Sequence, residues 1–228
     1  MKINTKILVY TLITSIVIFT GIIGYVAFEA RKKAFNDAKQ IADAIARENA
    51  NYAKAKLQKY LTATRTVAQV FEDRMTIPPK QRRRIYASIL KKLLKDNTDY
   101  LSVWTIWEPN AIDNMDSLFI NAPGCTKIGN FATTYYRYKN RIKLEDSSTE
   151  GELFVGEYYT IPKNTRNEVI LNPYSYSYTG DENDAILQTS TIVPIIRQND
   201  FLGVVGIDVE LGTFQIFVQR IKPFREGY

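Results

Sequence analysis

Asp208 is the side chain best suited to hold a ligand by charge. It lies in the run Phe201-Leu202-Gly203-Val204-Val205-Gly206-Ile207-Asp208-Val209-Glu210-Leu211. Side chains alternate across a strand. Val205, Ile207, Val209 and Leu211 then face a core, while Gly206, Asp208 and Glu210 share the other face. A glycine two residues before an aspartate leaves an open spot beside a carboxylate, which suits an ammonium or hydroxyl group of a small molecule. The plainer alternative is an exposed aspartate at a sheet edge, with the glycine kept small for packing. A second set is aromatic: Tyr158, Tyr159, Tyr174, Tyr176 and Tyr178. The last three alternate with serines, so they share a face when extended. Tyrosine gives an apolar wall with a polar tip, which fits a pocket and equally fits an ordinary sheet face.

Other chemistries are poorly provided for. The chain has no histidine. That removes Ser-His-Asp and Cys-His nucleophiles, histidine metal sites and the common proton shuttle. Cys125 is the single cysteine, so no intrachain disulfide forms. Asp181, Glu182 and Asp184 read as a solvated turn and not as a calcium loop. No phosphate-cradling glycine loop and no zinc pattern is present, so neither cofactor nor metal is expected. A hydrolase needs two carboxylates with separated pKa values in one cleft, and only Asp208 is well placed. The reading is therefore a binding module and not an enzyme. The net charge of +6 is scattered, without a nucleic-acid reading motif. Its densest cluster, Lys80, Arg82, Arg83 and Arg84, reads as the solvated start of a helix.

The elements that would position these residues follow from hydropathy. Residues 1–6 precede an uncharged stretch, 7–28, which as a helix is about 33 Å long and matches a bilayer core. It is too long for a signal peptide and lacks a small-residue cleavage site. Residues 29–75 contain no Gly or Pro and carry apolar residues at helical spacing, so they form a long stalk helix. Ile77-Pro78-Pro79 ends it. A second helix spans 80–96, with Ile85, Ile89 and Leu93 as its expected buried stripe. The period then changes. Residues 100–107 form a strand, on which Trp104 and Trp107 face opposite sides. Residues 119–121 and 142–144 are weak strand candidates, and 152–162 a loop or short helix. Residues 169–178, 185–196 and 201–211 form an antiparallel meander with polar turns. Residues 213–221 read as a closing helix. The fold class is α+β, with residues 76–228 as one sensor-sized module.

This order of elements resembles the double Cache sensor domain of bacterial transmembrane receptors. The resemblance rests on Tyr159-Thr160-Ile161-Pro162-Lys163-Asn164-Thr165, Asn172-Pro173-Tyr174-Ser175-Tyr176, Thr191-Ile192-Val193-Pro194-Ile195 and the strand ending in Gly206-Ile207-Asp208. It implies a PAS-like, membrane-distal module outside the inner membrane that binds a small molecule. It also implies a further module and a cytoplasmic output domain beyond Tyr228. The stalk itself is too long to serve one module, so Ala42, Ile45, Tyr52 and Leu61 are candidates for contact with a second copy in a homodimer, the alternative being that the whole stripe packs on the protomer's own modules. The output is expected to be a chemotaxis signalling domain, with a histidine kinase or cyclic-dinucleotide enzyme as alternatives. In the amino-acid-binding branch, an aspartate matching Asp208 and a second aspartate hold the amino group. An Arg-x-Trp-Tyr stretch holds the carboxylate. Here Tyr176 stands at the second aspartate, and Gly156-Glu157-Tyr158-Tyr159 replaces the arginine stretch. The ligand is thus an amino acid or another small metabolite. The expected ligand residues are Asp208, Tyr174, Tyr176, Tyr158 and Tyr159, with Trp107 and Arg137 as further members.

Overall fold

The computed structural model describes residues 3–145 and 153–212. The expected closing helix, 213–221, lies outside them. The chain divides into two compact units, one holding residues up to 51 and one spanning 52–220.

In the first unit, helix α1 (Ile3–Glu72) begins with a segment long and apolar enough to cross a membrane, and its apolar side chains are exposed. In the second unit, the end of α1 buries Tyr60, Leu61, Thr64, Val67, Ala68 and Phe71. Those three- and four-residue steps put one stripe of the helix against the sheet.

Helix α2 (Pro79–Asp96) starts on a proline whose fixed φ suits the first helical turn. Its buried side chains are Arg82, Arg83, Tyr86, Leu90 and Leu94. The stripe is therefore turned one residue from the expected Ile85, Ile89 and Leu93, which are half-buried. Two inward residues cause the turn. Tyr86 stacks on Phe71 at 4.0 Å and on Trp107 at 5.9 Å. Arg83 enters a buried ion cluster, so the basic run is not simply solvated. Its Nε lies 2.8 Å from Asp113, it also pairs with Asp116, and its guanidinium stands 4.1 Å from the Phe119 ring.

Among the described residues the sheet has seven strands: β1 (Ser102–Trp107), β2 (Ala132–Tyr138), β3 (Arg141–Leu144), β4 (Val169–Ile170), β5 (Tyr174–Tyr176), β6 (Ile186–Arg197) and β7 (Asp200–Glu210). The order is β3-β2-β1-β7-β6-β4, with β5 also on β6, and every pairing is antiparallel. The α+β, PAS-like architecture is as expected. Strand β2 is an addition to the reading. Residues 119–121 are instead a turn after a short 3-10 segment, and Asn121 takes a positive φ of 57°. Residues 169–178 break into two short strands around Pro173.

Alternation divides the module. Val103, Trp107, Val205, Ile207 and Val209 pack with α1 and α2 in the larger core. Trp104, Ile106 and Asp208 face the opposite side, toward helix α3 (Glu157–Thr165).

Candidate functional site

On that opposite face lies a cavity of about 90 Å³. One water needs roughly 10–15 Å³ of such space, so it holds several waters or one small group. Strand β7 supplies Asp208, β6 supplies Gln188, β5 supplies Tyr174 and Tyr176, and Tyr178 follows β5. Trp104 and Ile106 come from β1, Thr134 from β2, Tyr158 from α3, and Glu145 and Leu153 complete the wall.

Asp208 is the buried hub. Its Oδ1 accepts from Trp104 Nε1 at 2.9 Å and from the Ser190 hydroxyl at 2.6 Å. Its Oδ2 accepts from Tyr178 at 2.7 Å and from Ser102. Burial pushes its acid above the usual carboxylate range, and the four donors pull the other way. The donors extend into a network. The Tyr178 hydroxyl also lies 2.8 Å from Gln188 Oε1, so that its one proton is shared between this oxygen and Asp208, Gln188 Nε2 donates to Tyr174 at 3.0 Å, and Tyr174 shares a 2.6 Å hydrogen bond with Ser190. Hydroxyl donors rotate, so they can hold the carboxylate and later release a lone pair to a stronger cationic donor.

The spot beside Asp208 at Gly206 is filled. A Cβ at Gly206 would stand 2.1 Å from the indole of Trp104. The glycine thus seats the tryptophan, and the indole forms the cavity wall. Tyr158 packs edge-on against it with centroids 5.8 Å apart.

The structure brings Asp208, Tyr174, Tyr176 and Tyr158 to one cavity. It places three other expected members elsewhere. Trp107 is fully buried in the opposite core, because odd positions of β1 face the helices. Arg137 donates to the carbonyls of Leu94, Asn97 and Tyr100, where the last turn of α2 leaves acceptors unpaired. Tyr159, one helical step from Tyr158, is buried against Phe154 and Phe201 and donates to Glu108. Trp104, Tyr178, Gln188 and Glu145 join instead. Alternation along β1 and along 174–178 points to the first two. Glu145 carries no such signal. Its carboxylate accepts from Tyr176 at 2.7 Å, and burial pushes its acid up to about 7, with the charge of Asp208 adding to the shift.

No lysine or arginine lines this cavity among the described residues. Two carboxylates behind aromatic walls favour a positive guest through charge-assisted hydrogen bonds and cation–π contact.

The sequence model of the family described as "Methyl-accepting chemotaxis protein-like, first PDC sensor domain" matches residues 86–216. A curated relative, methyl-accepting chemotaxis protein TlpQ of Pseudomonas aeruginosa, is 29% identical over 144 residues, which is 58% of this chain and 20% of the relative. The chain thus spans about one fifth of that relative's length. Among solved structures, the extracellular domain of a protein described as a histidine kinase, mmHK1S-Z2, is 26% identical with a TM-score of 0.72, covering 84% of this chain and 67% of that one. The sensory domain of the Campylobacter jejuni chemoreceptor Tlp3 with isoleucine bound shares the fold at 13% identity and a TM-score of 0.54, covering 82% and 64%.

Proposed function

The chain belongs to the methyl-accepting-chemotaxis-protein-like family of first PDC sensor domains, and from that premise we propose that it senses a small cationic amine outside the cell. The observation that carries the ligand class is the lining of the Asp208 cavity: two carboxylates, four tyrosines and a tryptophan, with no basic side chain among the described residues. A free α-amino acid also carries a carboxylate, and this lining offers it no cation. The isoleucine bound by Tlp3 is therefore a poor guide to the ligand here.

The rest of the reading follows the family. Residues 7–28 anchor the protein in the inner membrane, with the module on the outer side. The protein acts as a homodimer joined along the stalk part of α1. A cytoplasmic output domain, most simply a chemotaxis signalling domain, receives the signal. A histidine kinase output is the second reading, favoured by the likeness to mmHK1S-Z2. The module binds and does not catalyse.

The ligand class is tested on the full chain in lipid nanodiscs. Butylamine, butyrate and isoleucine are titrated calorimetrically in phosphate buffer. Heat from butylamine alone supports the reading. Binding of butyrate or isoleucine without butylamine refutes it.

A further inference from the structure

Arg82 and Arg83 are neighbours at the start of α2 and both are buried, yet their surroundings differ. Arg83 meets two carboxylates. Arg82 meets none among the described residues. Its Nε donates to the Ile77 carbonyl at 2.9 Å and its Nη1 to the Ile112 carbonyl at 2.7 Å. Its Nη2 has the thioether of Met75, 3.7 Å away. A thioether is a weak acceptor, and a buried charge without a counter-charge is costly.

Two more guanidinium groups stand beside it, one just past the end of α1 and one at the β6–β7 hairpin. Arg74 has a buried Nη1 with no hydrogen-bond partner. Burial lowers its pKa below the ordinary range, and the charges of Arg82 and Arg197 lower it further, with Tyr86 and Asp200 opposing them less strongly. Arg197 Nη1 donates to the Glu72 carbonyl at 3.1 Å and lies 3.8 Å from Asp73, whose side chain is 72% exposed. Asp73 and Met75 flank Arg74 in sequence, so Arg197 and Arg82 are each held against a neighbour of it. Among the described residues, Asp73 is the one carboxylate within ion-pair distance of any of the three arginines. Helix α2 starts here without a side-chain cap and without an acid in its first turn, so the positive end of its dipole adds to the excess.

Guanidinium forks match the oxygens of carboxylates, phosphates and sulfates. Three of them against one distant carboxylate suit a doubly charged anion better than a single carboxylate. Met75 is 61% exposed and unbranched, so it can swing away from Arg82 and leave Nη2 to a stronger acceptor.

We propose that Arg74, Arg82 and Arg197 form a binding site for a small doubly charged oxyanion of the phosphate or sulfate type, capped by Met75. The bound anion would tie the end of α1 to the start of α2 and to the β6–β7 hairpin. The site shares no residue with the Asp208 cavity and does not rest on the cationic-ligand reading.

The test titrates inorganic phosphate, sulfate and acetate calorimetrically into the full chain in nanodiscs of zwitterionic lipid, with chloride holding the ionic strength constant. Phosphate or sulfate is expected to bind at least about tenfold more tightly than acetate, the scale of one charge-assisted hydrogen bond. Arg197→Gln changes a partly exposed side chain and should weaken the doubly charged anion by at least about tenfold. Met75→Glu puts a carboxylate where the thioether stands. It should raise the melting temperature in chloride alone and abolish binding of the anion. Absence of both binding heat and a rise in melting temperature with phosphate and with sulfate overturns the proposal. So does anion binding left undiminished in both variants, and acetate bound as tightly as phosphate and sulfate overturns the doubly charged class.

Discussion

Trp104 donates its indole N–H to Asp208 across 2.9 Å, although its register partner on β7 is Gly206 and not Asp208. The ring packs against the glycine and reaches along the strand to the carboxylate two residues on. One glycine therefore places one wall of the cavity and one donor of its hub. Gly206→Ala would set a methyl group 2.1 Å from that ring. The expected loss is about 1–3 kcal/mol of stability, as for other overpacked cores, together with weaker amine binding. Chemical denaturation and calorimetry on the same sample measure both. Unchanged stability with full binding would show that the indole is not seated by the glycine.

Asp208→Ala is expected to weaken a bound amine by about 1.5–3 kcal/mol, the scale of a hydrogen bond to a charged group. The variant also leaves Ser102, Ser190, Trp104 and Tyr178 without their acceptor. Its melting temperature must therefore be read alongside affinity. Butylamine affinity equal to wild type would remove Asp208 from the site.

Arg83→Met tests the cluster that the sequence disguised as a solvated run. Asp113 and Asp116 would stay buried without their cation. Breaking a buried pair in this way costs about 3–5 kcal/mol. Denaturant midpoints decide it. Replacing all three charges together with apolar residues should recover much of that loss.

What was legible in the sequence was local periodicity. Alternation in 201–211 gave β7 its two faces, and the same alternation separated Trp104 from Trp107. The proline pair at 78–79 marked the break between α1 and α2. What was not legible depended on contacts between distant residues. Arg83 looks like its neighbours Arg82 and Arg84 until Asp113 and Asp116, 30 and 33 residues on, come round to meet it. Glu145 sits at the end of a four-residue strand, with no pattern to mark it, and becomes part of the cavity only because Tyr176 arrives from β5. Arg137 was drawn toward a ligand by its charge, but the carbonyl end of α2 claims it first.

Glu145 also predicts a pH dependence of stability. Burial raises its acid from the ordinary 4.5 to about 7. The folded state thus holds this proton more tightly than the unfolded state does. Its contribution to stability is fully present below about 4.5 and is lost as the pH rises through about 7. Relative to Glu145→Gln, the wild type should therefore lose melting temperature across that window and run parallel to it above. A bound amine should reduce the loss, because it stabilises the ionised form. Parallel curves over the whole range would place Glu145 in bulk solvent.

The last prediction concerns how binding reaches the membrane. A ligand shifts an equilibrium only through different affinity for two states, so the module needs a two-state element to move. A pair of stalk helices supplies one, since small translations of packed helices are discrete and cheap. Ala42, Ile45, Tyr52 and Leu61 are the sequence's candidates for helix pairing. Leu61 drops out, because it is buried in the module's own core. Phe35, Ile41 and Tyr52 remain exposed on α1, an arrangement with apolar area to cover. Single cysteines placed along 32–52, in a Cys125→Ser background, are expected to crosslink in membranes at three- and four-residue steps. A saturating amine should shift the pattern of efficient positions while leaving its period intact. Uniformly absent crosslinks, with and without amine, would exclude a stalk pair as the route of signalling. A periodic pattern that the amine leaves unaltered would keep the dimer and remove the stalk shift from the mechanism.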